Sequence, residues 1–150
     1  MGTYVVGIEG MYAAASLILG GTAAACPNLR VSFSHAAAWL PHDASRANYF
    51  WGGSWNEEPK NLERAVMPDD GPSPLEYARR FYYDSMVFDR RTIRYLIDLL
   101  GSDRLMVGSD FPAMLREELT AKTLKSMDLP AAEWENISHH NAYRWLGLSA

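Results

Sequence analysis

The chain has 150 residues, which suits a single domain, and 48% of them are hydrophobic, enough to build a core. Its 14 Lys and Arg against 18 Asp and Glu leave a net charge of −4, which argues against an electrostatic grip on nucleic acid or on anionic lipid. A lone cysteine, Cys26, cannot form an internal disulfide and fits a reducing compartment, so a cytoplasmic setting is expected.

The first ten residues carry no basic segment, so no signal peptide is read there. Residues 11–19 are apolar but shorter than the roughly 20 residues needed to span a bilayer. A helix is expected over 11–25, rich in Ala and Leu and broken by Pro27-Asn28. Cys26 at its end is expected to be a partly buried thiol rather than a nucleophile. A short strand is expected over 29–34, where Val31 and Phe33 alternate with Ser32 and Ser34, ending at His35. A loop or helix follows through Trp39-Leu40-Pro41, then an aromatic, Gly-rich run over 48–56, expected to pack in the core or as a lid. A possible helix at 59–66 precedes a Pro-rich loop at 67–74, and Ser73 or Pro74 starts a short helix through Arg80. Phe81-Tyr82-Tyr83-Asp84 reads as a second strand. Residues 89–100 read as an amphipathic helix with Ile93, Leu96, Ile97 and Leu100 on one face, Asp89 as N-cap and Gly101 as stop. A third strand is expected over 104–107, then helices over 113–127 and 131–146, closed by Gly147. Helices alternating with strands indicate an α/β fold with parallel strands. No linker divides the chain, so residues 1–150 read as one unit.

In parallel β/α folds the strand ends share one rim, and side chains just past them converge on one cavity. Here the three strand ends carry His35, Asp84 and Asp110. Asp110, after Gly108-Ser109 and before Phe111-Pro112, is suited to ligate a metal or accept a proton from metal-bound water; an Asx turn or helix cap is the competing role. His35 suits ligation, orientation of a water or proton transfer, against a hydrogen-bonded structural histidine. Asp84 is expected to cap the turn after its strand rather than act on substrate. His139-His140 is expected at the surface, because adjacent helical residues point about 100° apart. His42 is a weaker pocket candidate, and Asp69-Asp70 reads as solvated charge.

Several segments together resemble the amidohydrolase-related family, in the branch of the aminocarboxymuconate-semialdehyde decarboxylases. Cys26-Pro27-Asn28-Leu29-Arg30-Val31 through His35, with Leu40-Pro41 and Arg46 after it, resembles the family's sixth strand and its histidine. Pro74-Leu75-Glu76-Tyr77 through Phe81-Tyr82-Tyr83-Asp84-Ser85 resembles the seventh. Residues 101–112, ending Gly108-Ser109-Asp110-Phe111-Pro112, resemble the eighth strand with its metal-site aspartate, and Asn141-Ala142-Tyr143-Arg144-Trp145-Leu146-Gly147-Leu148 resembles the closing helix. The resemblance implies a partial (β/α)8 TIM barrel, strands six to eight with flanking helices, whose N-terminal half is absent. The helix over 11–25 would follow strand five. A whole barrel takes about 250 residues.

Carried over, Asp110 would be a metal ligand and proton acceptor, and His35 an acid/base histidine that does not ligate the metal. The implied cofactor is a divalent metal, expected to be zinc, in a site left incomplete because the family's His-x-His of strand one and histidine of strand five have no counterpart. One departure is local: the family's Gly-rich run after the strand-six histidine is Ala36-Ala37-Ala38 here, whose methyl groups narrow the rim. The resemblance implies a metal-dependent carboxy-lyase acting on a small unsaturated or aromatic carboxylate, with the chain alone inactive. Hydrolysis of a small amide or lactone, with or without metal, is the neighbouring alternative. A truncated, non-catalytic product or half-barrel subunit is the third. No nucleic acid or membrane partner is expected; the open edges of three strands invite dimerisation or pairing with a chain that supplies the missing strands.

Overall fold

The computed structural model describes residues 2–51, 71–112 and 117–149. They fall into two compact units, Met1–Leu29 with Ala37–Arg80, and Arg30–Ala36 with Phe81–Ala150.

The first unit is helical. Helix α1 (Gly2–Leu19) begins well before the expected residue 11. Gly7 does not break it; a Cβ there would fall 2.8 Å from the Cβ of Ala38, so the glycine lets the helix approach that segment closely. Gly7, Ala14 and Ile18 form its buried stripe. Gly20 and Gly21 then divide what was expected as one helix: Gly21 is left-handed, at φ 76°, and α2 (Thr22–Ala25) restarts after it. Cys26 caps the end of α2 and is exposed, against the expected partly buried thiol, because this short helix ends at the surface.

The ambiguous segment after Trp39 is helix α3 (Leu40–Trp51). Its proline, Pro41, lies in the first turn, where a missing N–H breaks no helical hydrogen bond. Helix α4 (Pro74–Ala78) starts at a capping box: Ser73 N–H donates to Glu76 Oε2 (2.7 Å), and Glu76 N–H donates to Ser73 Oγ (3.4 Å). Leu75 N–H donates to Asn48 Oδ1 (2.9 Å), which joins α4 to α3. The expected helix at 59–66, Gly52, Gly53 and Trp55 of the aromatic run, and Asp69-Asp70 lie outside the described residues.

The second unit holds a parallel three-stranded sheet of β1 (Ser32–Phe33), β2 (Tyr82–Asp84) and β3 (Leu105–Met106), in that order. Ser32 pairs with Tyr82, Phe33 and Leu105 with Tyr83, and Met106 with Asp84. The strands are shorter than expected, although ladder bonds reach past their ends: Tyr82 N–H donates to Val31 O and Tyr83 N–H to Arg104 O, both at 2.8 Å. Phe33, Phe81 and Tyr83 cluster at ring distances of 5.2 and 6.2 Å.

Helix α5 (Arg90–Leu100) covers this core with Ile93, Leu96, Ile97 and Leu100, all buried as the periodicity predicts. Asp89 caps it by accepting from Thr92 N–H (2.9 Å), and Gly101, at φ 103°, stops it. The expected helix at 113–127 is reduced to α6 (Lys122–Lys125) within the described residues. Glu117 accepts from Thr123 N–H (2.8 Å), and Ala121 is left-handed, so the chain between them loops.

The expected helix at 131–146 forms as α7 (Ala131–Glu135), a π turn at Asn136–His140 and α8 (Asn141–Leu146). Gly147 ends it, with Leu148 N–H donating to Tyr143 O and Gly147 N–H to Arg144 O, the Schellman pattern. Arg94 reaches Glu133 with two nitrogens, at 2.8 and 3.3 Å, and so pins α5 to α7. The fully buried Asn141 donates from Nδ2 to Ser102 O (2.8 Å) and Leu105 O (2.6 Å), tying α8 to β3.

Candidate active site

Because β1, β2 and β3 run parallel, their C-terminal ends share one rim. His35 stands two residues past the last paired residue of β1, Asp84 is the last residue of β2, and Asp110 stands four residues past β3.

The backbone at two of these positions is unusual. His35 (φ 52°, ψ 34°) and Ala36 (φ 53°, ψ 28°) are left-handed, and Ala37 and Ala38 follow at φ 51° and 45°. Asp110 is left-handed too, at φ 57°. Non-glycine residues resist this conformation because Cβ crowds the following carbonyl, at about 1–2 kcal/mol per residue in a helical run. Glycines would take these values without that cost, so the Ala36-Ala37-Ala38 run makes the turn after β1 strained. The half-buried side chain of His35 leaves this turn at the rim.

Asp84 is the buried acid of the group, 9% exposed. Its Oδ1 accepts from Met86 N–H at 3.0 Å, the turn-capping role expected of it. The backbone of His35 and Ala36 also favours the ionised form of this carboxylate. Burial pushes its pKa up from the ordinary value, while these backbone groups and the charge of a protonated His35 pull it down; burial wins.

Gly108 sets how close the segment leading to Asp110 comes. A Cβ on it would lie 2.6 Å from Met86 Cγ and 2.9 Å from Asp84 Cβ. The missing side chain lets the chain after β3 lie against the stem of Asp84. Ser109 Oγ then accepts from Phe111 N–H (3.3 Å), turning the chain at Asp110. Among the described residues no three of His, Cys, Asp and Glu gather in a group able to hold a metal ion. Catalytic zinc usually has three protein ligands, so the described residues by themselves do not fit a metal centre.

The remaining candidates lie elsewhere. His42 is exposed on α3, its ring 5.7 Å from that of Trp39. His139 is exposed and His140 half-buried, both on the π turn. Their rings are 4.2 Å apart, nearer than ordinary helical spacing suggested, and His139 Nδ1 lies 2.8 Å from Ser138 Oγ. A cavity of about 450 Å³, lined by Phe88, Asp89, Arg90, Arg91, Thr123 and Ser126, contains neither His35 nor Asp110. No described helix is long and apolar enough to cross a membrane.

The family profile described as amidohydrolase matches residues 5–148. The chain is 30% identical over 141 residues to a 2-amino-3-carboxymuconate-6-semialdehyde decarboxylase of Dictyostelium discoideum, covering 93% of this chain and 37% of that protein. Its fold is similar to a 5-carboxyvanillate decarboxylase from Sphingomonas paucimobilis, with TM-score 0.74 and 24% identity, covering 95% of this chain and 41% of the other. It is also similar to a dihydroxybenzoic acid decarboxylase from Polaromonas sp. with bound manganese and the inhibitor 2-nitroresorcinol, with TM-score 0.76 and 19% identity, covering 94% of this chain and 40% of the other. The chain thus spans well under half the length of each of these proteins.

Proposed function

The chain belongs to the amidohydrolase family, and from that premise we propose that it forms strands six to eight of a (β/α)8-barrel decarboxylase acting on a small unsaturated or aromatic carboxylate. The observation that carries the reading is the common rim of a parallel sheet, with a left-handed His35 past one strand and a left-handed Asp110 past another. In the reaction the bond from carbon to carboxylate breaks, carbon dioxide leaves, and the electron pair stays on carbon. His35 delivers the proton that replaces it. A histidine suits this because its ordinary pKa lets it carry and release a proton near neutrality.

Asp110 is proposed as the one ligand these residues give to a divalent metal. Zinc is the ion the resemblance suggests, and manganese is the ion in the Polaromonas protein. The other ligands would come from outside the described residues, in chain supplying strands one to five. A small carboxylate substrate, a partner chain or second copy at the sheet edges, and a cytosolic setting that keeps the exposed Cys26 reduced complete the proposal.

The test joins this chain behind strands one to five of the Dictyostelium relative and measures carbon dioxide release from hydroxybenzoates and unsaturated amino acids bearing a carboxylate, with manganese or zinc. Release is expected from the joined protein and not from this chain alone. His35→Gln should lower kcat by about 10²–10⁴-fold, the usual contribution of a positioned acid/base group. A second reading, hydrolysis of a small amide, is favoured by the family's own description as amidohydrolase; it predicts release of amine without carbon dioxide. No product in either assay would leave the non-catalytic reading.

A further inference from the structure

We propose that the π turn of the closing helix caps the outer edge of β3, so that this chain by itself holds on both sides the strand that leads to Asp110. The proposal rests on the decarboxylase reading only in giving Asp110 a metal to hold. The two sides follow from the direction of the backbone groups. Tyr83 N–H and Ser85 N–H, of β2 and just past it, donate to Arg104 O (2.8 Å) and Met106 O (2.9 Å). Successive residues of a strand aim their N–H and C=O groups at opposite edges, so Leu105 and Val107 turn theirs away from β2. The closing helix meets both. Asn141 Nδ2 donates to Leu105 O at 2.6 Å, and Val107 N–H donates to Ile137 O at 3.2 Å. A donor for one residue and an acceptor for the next but one is what a neighbouring parallel strand would offer.

The π turn is what makes Ile137 O available. In an α-helix Asn141 N–H would donate to the carbonyl four residues back, that of Ile137. Here it donates to Asn136 O, five residues back. Relieved of that donor, Ile137 O accepts from Val107 N–H. Neighbouring side chains lock the arrangement. Arg144 Nη1 donates to Asn141 Oδ1 (2.8 Å) and Asn136 Oδ1 (3.2 Å), which leaves the Asn141 amide nitrogen aimed at the carbonyls. Asn141 Nδ2 also donates to Ser102 O (2.8 Å), and Asn136 Nδ2 to Ser102 Oγ (3.3 Å). Ile137 and Asn141 are fully buried, so water does not replace these bonds and leaving one unmade costs the desolvation of its groups. Bare strand edges attract other strands, and a covering helix is one way to block them. The cap narrows the pairing proposed above: over residues 105–107 this edge is taken, and a partner strand meets it only past Val107, beside Gly108 and Asp110.

The test uses this chain as it stands and needs no turnover. NMR measures the coupling across the hydrogen bond between the Val107 amide nitrogen and the Ile137 carbonyl carbon. It also follows amide exchange at Val107, in wild type, Asn141→Leu and a variant lacking Ser138. Wild type should show the coupling. Removing Ser138 takes out the extra residue of the π turn, so that α spacing returns and Ala142 N–H donates to Ile137 O. Val107 should then lose the coupling and exchange about tenfold faster, the scale of one hydrogen bond. Amides in α5 should not change. Asn141→Leu keeps the turn and removes the donor to Leu105; it should speed Val107 exchange and shift the Gly108 and Asp110 resonances. If the deletion unfolds the chain, seen as fast exchange throughout α5, the wild-type coupling and Asn141→Leu give the answer. As protein concentration rises, the coupling should persist even where copies associate. No coupling in wild type, unchanged Val107 exchange in the folded variants, or a coupling lost on association overturns the proposal. A joined enzyme that fails to release carbon dioxide would sink the decarboxylase reading and leave these results standing.

Discussion

The residues that matter most at the rim are set by close contacts and by charge. Asp84 carries a pH dependence of unusual sign. Its pKa is raised above the ordinary 3.8, so between that value and the raised one the folded chain binds more protons than the unfolded chain. Stability from this group is therefore highest at low pH, falls as pH rises through the window just above 3.8, and levels off once both states are ionised. Urea unfolding of wild type and Asp84→Asn across that range should show wild type losing stability relative to the variant; a difference that stays flat would contradict the burial argument. Gly108→Ala tests the packing behind Asp84. The added methyl can push the flexible end of Met86 aside, but Asp84 Cβ is fixed to a paired strand. A loss of about 1–3 kcal/mol is expected, as for other overpacked sites, read as a lower urea midpoint at unchanged slope.

At the scale of elements, α5 was legible almost residue for residue, because its signals are local. The 3.6-residue period named Ile93, Leu96, Ile97 and Leu100, the N-cap named Asp89, and Gly101 marked the stop. Leu96→Ala should cost about 2–5 kcal/mol by leaving a cavity under the helix, checked by equilibrium denaturation. The helix expected over 113–127 failed for a complementary reason. Its composition is permissive, but Glu117 reaches Thr123 across a loop and Ala121 turns left-handed. The closing helix also hides its main attachment. Asn141 looks like an ordinary polar helix residue in sequence, yet it is fully buried with its amide on two carbonyls of the β3 segment. Asn141→Ala strands both carbonyls and should cost about 1–3 kcal/mol, with faster amide exchange around Leu105 as the local readout.

At the scale of the molecule, the issue is how much of a metal centre the chain contributes. Asp110 is at the rim, but the described residues form no cluster of three or more candidate ligands. A ligand that binds only the folded state stabilises it by RT ln(1 + L/Kd), with L the free ligand concentration, and so raises its unfolding temperature. Manganese or zinc added to this chain should therefore leave the unfolding temperature where it was. An increase that disappears in Asp110→Asn would show that further ligands gather around it in this chain. The alternation of helix and strand announced parallel pairing, and the sheet is parallel in the expected strand order.

What the sequence determined by itself was whatever depends on neighbours a few residues apart: the period of α5, the caps at Ser73 and Asp89, the stops at Gly101 and Gly147, and the order of strands whose ends carry His35, Asp84 and Asp110. The tertiary structure alone decided that Gly7 serves a close approach instead of a break, that the turn after β1 is left-handed in spite of its alanines, and that Gly108 lies against the stem of Asp84. The physical reason is range. Periodicity and capping are written in adjacent turns, whereas the close approach of segments far apart in the chain, such as Gly108 to Asp84, leaves no local pattern; only the pairing of β2 with β3 brings the two together.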